Sequence, residues 1–169
     1  MERGFIQGKL EIKLLLLYIL CRVEAPVTLD TLADVAMCDS GVSYFDLSTA
    51  LAELTESDHV ALSGGTYTAT DKGRRNGAIT EDNIPYSVRM RCDHRLADIN
   101  QALRQAQRVH AAVISKGGEG FQLTLALDGE DGPVFTMTLL CDAQEEADRL
   151  ADRFRQNPEA FVQTLRTIE

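Results

Sequence analysis

Positive charge is scarce in this chain. Its 17 lysines and arginines are outnumbered by 26 aspartates and glutamates, giving a formal net charge of -9 and a pI of about 4.8. Such a balance disfavours nonspecific adhesion to nucleic acid or to acidic membrane, although a local basic patch stays compatible with it. Long apolar runs are also missing. The longest, Leu14 to Cys21, is too short to span a bilayer and is flanked by Glu11, Lys13 and Arg22. No small-residue cleavage site follows Cys21, so a signal peptide is not expected and a cytoplasmic location is. The four cysteines, Cys21, Cys38, Cys92 and Cys141, contain no C-x-x-C spacing. Reduced thiols in a core are therefore expected, in place of a disulfide framework. There is no low-complexity tract, and 44% hydrophobic content in 169 residues suits one domain or two small ones.

What is present is a regular alternation of helix and strand signals. Leu10, Ile12, Leu14 to Leu17, Ile19 and Cys21 describe a helix that is apolar nearly all round, hence central. Thr28 is placed to cap a second helix over Leu29 to Met37. After the turn Asp39-Ser40-Gly41, Ser43 is placed to cap a third, with Asp46 completing a short capping box. That helix, ending near Asp58, buries Leu47, Ala50, Leu51 and Leu54. Its opposite face carries Phe45, Ser48, Thr49, Ala52 and Glu56. His59 to Leu62 and Thr66 to Thr70 read as strands around the tight turn Ser63-Gly64-Gly65. Thr70 or Asp71 starts a short helix, weakened by Gly73 and Gly77. Ile84-Pro85 then breaks the chain.

A long helix follows from Tyr86 to Gln107. Val88, Cys92, Leu96, Ile99, Leu103 and Ala106 form one stripe, for which packing on a sheet is the expectation. Val109 to Ser115, the alternating Phe121 to Leu127 and the alternating Phe135 to Cys141 make a three-stranded antiparallel meander. Its apolar face is to be covered by the long helix and two last ones. Asp142 and Glu145 propose a capping box for the first of these, burying Ala147, Leu150, Ala151 and Phe154. Asn157-Pro158 opens the second, with Phe161, Val162, Leu165 and Ile168 on its apolar face. The division expected is residues 1–82 and residues 83–169, with an α+β fold throughout.

Helix, helix, helix and a glycine-turned hairpin is the order of a winged helix-turn-helix. Tyr67-Thr68-Ala69-Thr70-Asp71-Lys72-Gly73 resembles the Y-x-x-T-x-x-G segment that follows the wing in many bacterial winged-helix regulators. Leu51-x-x-Leu54 resembles their A-L-x-x-L pattern. Tyr18-Ile19-Leu20 to Val27-Thr28, Tyr44 to Leu47 and Ile84 to Arg89 are similar to an uncharacterised bacterial winged-helix family. There the winged helix precedes a small α/β C-terminal domain, so the resemblance covers essentially the whole chain. It implies a DNA-binding transcriptional regulator whose third helix enters the major groove. Phe45, Ser48 and Thr49 would then meet bases, and Lys72, Arg74 and Arg75 would meet phosphates of double-stranded DNA. A homodimer is expected, because a palindromic site needs two reading helices. The C-terminal domain would serve dimerisation or regulation, with an unidentified effector.

Against this stands the charge of the third helix, which has Asp46, Glu53 and Glu56 and no lysine or arginine. Residues 1–80 hold 7 basic and 11 acidic side chains. A carboxylate repels phosphate and a missing cation forfeits counterion release. The alternative is a winged helix used for protein contact through Tyr44, Phe45 and Ala52, and the blandest expectation for the two aromatics is packing on the first helix. Arg89, Arg91, His94 and Arg95 form a second basic cluster, available to phosphates or to surface carboxylates.

No catalytic residue, cofactor or metal site is expected. The three histidines are far apart, and Cys92 and His94, two apart on a helix, point in different directions. Gly117-Gly118-Glu119-Gly120 joins two strands, so it reads as a hairpin turn and not as a phosphate cradle. No nucleophile-base pair is recognisable.

Overall fold

The computed structural model describes residues 4–167, so Ile168 lies outside the described residues. It is a mixed α+β structure with seven α-helices and two small antiparallel sheets among the described residues. Packing divides it into two compact units, the first reaching Leu103 and the second beginning at Arg104.

The first unit is built on α1 (Lys9–Arg22), whose Ile12 and Leu15 to Leu20 are all buried. It packs against α2 (Leu29–Ala36), α3 (Tyr44–Glu56), α4 (Asp71–Thr80) and the hairpin strand Thr66–Ala69. Only a helix apolar on every side can serve so many neighbours. Thr28 caps α2 by accepting from Thr31 N–H, and Ser43 caps α3 by accepting from Asp46 N–H at 3.1 Å. Asp58 ends α3 in the left-handed region (φ 58°), with His59 N–H donating to Leu54 O and Asp58 N–H to Thr55 O. That pair of bonds satisfies the last carbonyls of the helix.

The hairpin strands β1 (Val60–Ser63) and β2 (Thr66–Ala69) turn at Gly64 and Gly65, with φ of 56° and 80°. Positive φ at both central residues is the geometry a two-residue hairpin loop needs. Val27, before α2, exchanges two backbone hydrogen bonds with Tyr67 of β2, at 3.2 and 2.8 Å. A third, one-residue strand is thereby added to the hairpin. Thr70 caps α4, donating its hydroxyl to Asp58 O and accepting from Gly73 N–H. A Cβ at Gly73 would lie 2.0 Å from the His59 carbonyl oxygen, so glycine there lets α4 seat on the chain entering β1.

The stripe of α5 (Tyr86–Gln107) does not pack as expected. Val88, Cys92 and Leu96 are buried in the helical core of the first unit, with Ile99 and Leu103 packed against it. The first unit therefore extends past the break at Ile84-Pro85 by most of this helix.

In the second unit β3 (Val109–Ser115), β4 (Phe121–Gly129) and β5 (Gly132–Cys141) form the meander, with rows such as Val113–Leu123–Leu139 on one face. α6 (Gln144–Gln156) and α7 (Pro158–Arg166) supply its core with Ala147, Ala151, Phe154 and Val162. Phe154 meets Phe161 edge-on at 5.4 Å and Phe135 at 6.0 Å, an arrangement favoured by the ring quadrupole. Asn157 caps α7 as expected, accepting from Ala160 N–H. Asp142 does not cap α6: Ala143 holds the cap position and no side chain bonds the helix start.

Candidate nucleic-acid interface

Burial of Leu47, Ala50, Leu51 and Leu54 turns the opposite face of α3 outward. Phe45 is 76% exposed and Tyr44 is also exposed, so neither packs inside against α1. Tyr44 instead donates its phenol to Asp30 of α2 at 3.3 Å, and desolvation, followed by the adjoining carboxylate, holds that phenol above its usual pKa. Ser48 and Thr49, both half-buried, donate their hydroxyls to the same acceptor, the carbonyl oxygen of Phe45, each at 2.9 Å. Back-bonding of this kind keeps a helical hydroxyl oriented along its own helix, leaving its lone pairs to accept. Phe45, Ser48 and Thr49 are thus brought together as one small surface.

The acidic residues on α3 are not equivalent. Glu53 is held by two lysines from the start of α1: it pairs with Lys9 and, at 2.7 Å, with Lys13. Those hydrogen bonds, Lys13 first, hold its carboxyl below the ordinary range. The intervals Lys9–Lys13 and Asp46–Glu53 were in the sequence, but nothing in a linear pattern matches one helix's cations to another's carboxylate. Asp46 accepts from the Ser43 hydroxyl at 2.6 Å and belongs to the cap.

Lys72 donates to the Ser57 carbonyl at 2.7 Å, where the negative end of α3 favours a cation. It is therefore tied to the far end of the helix that carries Phe45. Arg74 and Arg75 are exposed on α4, and among the described residues their side chains have no ion-pair or hydrogen-bond partner. No bond joins them to Phe45, Ser48 or Thr49.

The three arginines of the second basic cluster are tied to partners within the first unit. Arg89 pairs with Glu81 at 3.5 Å and Asp82 at 3.3 Å, Arg91 with Asp39 at 3.0 Å, and Arg95 donates to the Asp34 carbonyl. From the sequence Asp39 reads only as a turn residue. Its carboxylate is 1% exposed and accepts from Phe5, Ile6 and Gly41 N–H groups as well as from Arg91. Burial pushes its pKa up, but the three N–H donors and Arg91 outweigh burial and hold it below the carboxylate range.

A model of a domain of unknown function, DUF4364, matches residues 12–166. The chain belongs to the DUF4364 family. No curated protein and no solved structure matches it. The DUF4364 match runs through both units, so the α3 face and the meander are parts of one family architecture.

Among the described residues of this DUF4364 chain, no three His, Cys, Asp or Glu side chains converge as a metal cluster, and no helix is long and apolar enough to cross a membrane. Cys92 is buried while His94 is exposed. Gly117–Glu119 is a short 3-10 turn between β3 and β4. In the second unit a cleft of about 220 Å³ is lined by Arg153, Asn157, Ala160, Phe161, Thr164 and Leu165. It is smaller than the roughly 300–1,000 Å³ that drug-sized ligands occupy.

Proposed function

We propose that the first unit is a winged helix-turn-helix and that the protein is a DNA-binding transcriptional regulator acting as a homodimer. The observation that carries this reading is the hydrogen-bonded bridge between Val27 and Tyr67. It joins the chain before α2 to the glycine-tipped hairpin, the layout in which α2 and α3 form the helix-turn-helix and the hairpin the wing. The outward face of α3 supports it: Phe45 is free to meet a thymine methyl, and the Ser48 and Thr49 oxygens are free to accept from base amino groups. Arg74 and Arg75, exposed on α4 and unpaired among the described residues, and Lys72 beside the end of α3 are the phosphate-binding candidates.

The outer face of the meander supports self-association. Its rows Ala112–Thr124–Thr138 and Ile114–Gln122–Leu140 carry no charge, and Leu140 is 75% exposed. Two charge-free rows, bordered by the His110–Asp128 pair at one end of the face, suit a second copy, which would supply the second reading helix.

One observation favours a different use. Tyr44 and Phe45 form an exposed aromatic pair on a helix without a cation, which suits docking to another protein. Selection from a pool of randomised duplexes separates the two. The DNA reading predicts enrichment of a palindromic motif, lost with Phe45→Ala in a protein that still unfolds at the native temperature. No enrichment, together with Phe45-dependent capture of a protein, favours the contact reading.

A further inference from the structure

Cys38 lies in the turn after α2 and Cys92 lies in the middle of α5, yet their sulfurs are 3.4 Å apart. We propose that Cys38 and Cys92 are a peroxide-sensitive thiol pair, a modification site that closes to a disulfide joining the α2–α3 turn to α5.

The two thiols differ in the way a two-step oxidation requires. Cys38 is half-buried and reachable from solvent, whereas Cys92 is fully buried. A hydrogen bond in which either sulfur can donate joins the two thiols, and Arg91 and Arg95 add positive potential. Against burial and the Asp39 charge, they keep Cys38 below the ordinary thiol range. The same hydrogen bond and burial raise Cys92. Cys38 is therefore the readier of the two to form the thiolate that meets an oxidant, with Cys92 buried against it as the resolving thiol. Cys21 and Cys141 are both raised, chiefly by burial.

The chemistry balances with hydrogen peroxide as oxidant. The Cys38 thiolate attacks one peroxide oxygen, the O–O bond breaks and hydroxide leaves. The sulfur becomes a sulfenic acid, oxidised by the two electrons the peroxide gains. Cys92 sulfur then attacks Cys38 sulfur, the S–O bond breaks, and the hydroxyl departs with the Cys92 proton as water. The hydroxide from the first step takes up the proton Cys38 had lost, so two thiols and one peroxide give one disulfide and two waters. The sulfurs must approach by about 1.4 Å to reach a bonded distance. A turn residue moves that far more readily than one in mid-helix, so Cys38 is the partner that shifts.

The test uses the full chain with Cys21→Ser and Cys141→Ser, leaving only the pair. The reduced protein is treated with equimolar hydrogen peroxide, quenched with iodoacetamide in denaturant and weighed intact. The proposal predicts loss of two hydrogen atoms, no alkyl groups, and recovery of both alkylation sites after dithiothreitol. Two alkyl groups after peroxide, addition of oxygen without a cross-link, or a disulfide between two chains would each overturn it. Non-reduced peptide mapping of the unsubstituted chain checks the same bond where the double variant folds poorly. A Cys38–Cys92 peptide supports the proposal and a cross-link through Cys21 or Cys141 contradicts it. With Cys92→Ser and excess hydrogen peroxide, a second peroxide should carry the unresolved Cys38 sulfenic acid on to sulfinic acid, releasing water.

Discussion

Arg91 on α5 donates to Asp39 over 3.0 Å, joining a side chain that is 45% exposed to a carboxylate that is 1% exposed. The two partners are unequal for that reason. Asp39→Ala strips acceptors from Phe5, Ile6 and Gly41 N–H groups and should cost on the order of 3 kcal/mol. Arg91→Ala leaves those bonds intact and loses a solvent-screened pair, about 1 kcal/mol or less. Urea unfolding of both variants measures the difference.

The same carboxylate sets a pH dependence. Its folded-state pKa lies below the unfolded value of about 3.9. Its contribution to stability is therefore complete above about pH 4 and is lost as pH falls through the folded value. Asp39→Asn should flatten this part of the acid limb in unfolding curves taken between about pH 2 and pH 5.

Local signals were legible and partners were not. The limits of α5, the caps Thr28, Ser43, Thr70 and Asn157, and the inward rows of the meander all follow from spacing and cap chemistry. The stripe Val88–Cys92–Leu96 was equally plain, but a stripe says only that a face is covered, not by what; helices cover it and not a sheet. Arg89, Arg91 and Arg95 read as a cluster because charges add along a sequence, while their carboxylates and carbonyls come from α2, the turn after it and the segment after α4. Lys9 and Lys13 meeting Glu53, and Cys38 meeting Cys92, need the tertiary fold to be seen.

Gly73 is predicted to be irreplaceable. An added methyl would meet the His59 carbonyl oxygen, a backbone atom that cannot swing aside. Gly73→Ala should destabilise by about 2 kcal/mol, overpacking outweighing the better helix propensity of alanine. Ile79→Ala, exposed on the same helix, should change stability by less than about 0.5 kcal/mol. Thermal unfolding of the pair checks both values.

Glu53 should act as a brake on DNA binding. Its carboxylate holds Lys9 and Lys13 at the edge of α3. Glu53→Gln removes one repelling charge and frees two attracting ones. It should tighten duplex binding on the order of tenfold at low salt, with the gain shrinking as salt rises. Fluorescence anisotropy with a labelled duplex measures it, and unchanged affinity would remove α3 from the interface.

The most direct test of the regulator account is the salt dependence of duplex binding, compared between the unsubstituted protein and Arg74→Ala plus Arg75→Ala. The account predicts a linear fall of log affinity with log salt, and a slope shallower in the variant by about 0.9 for each phosphate contact removed. Equal slopes, or no binding of either protein at low salt, would contradict it.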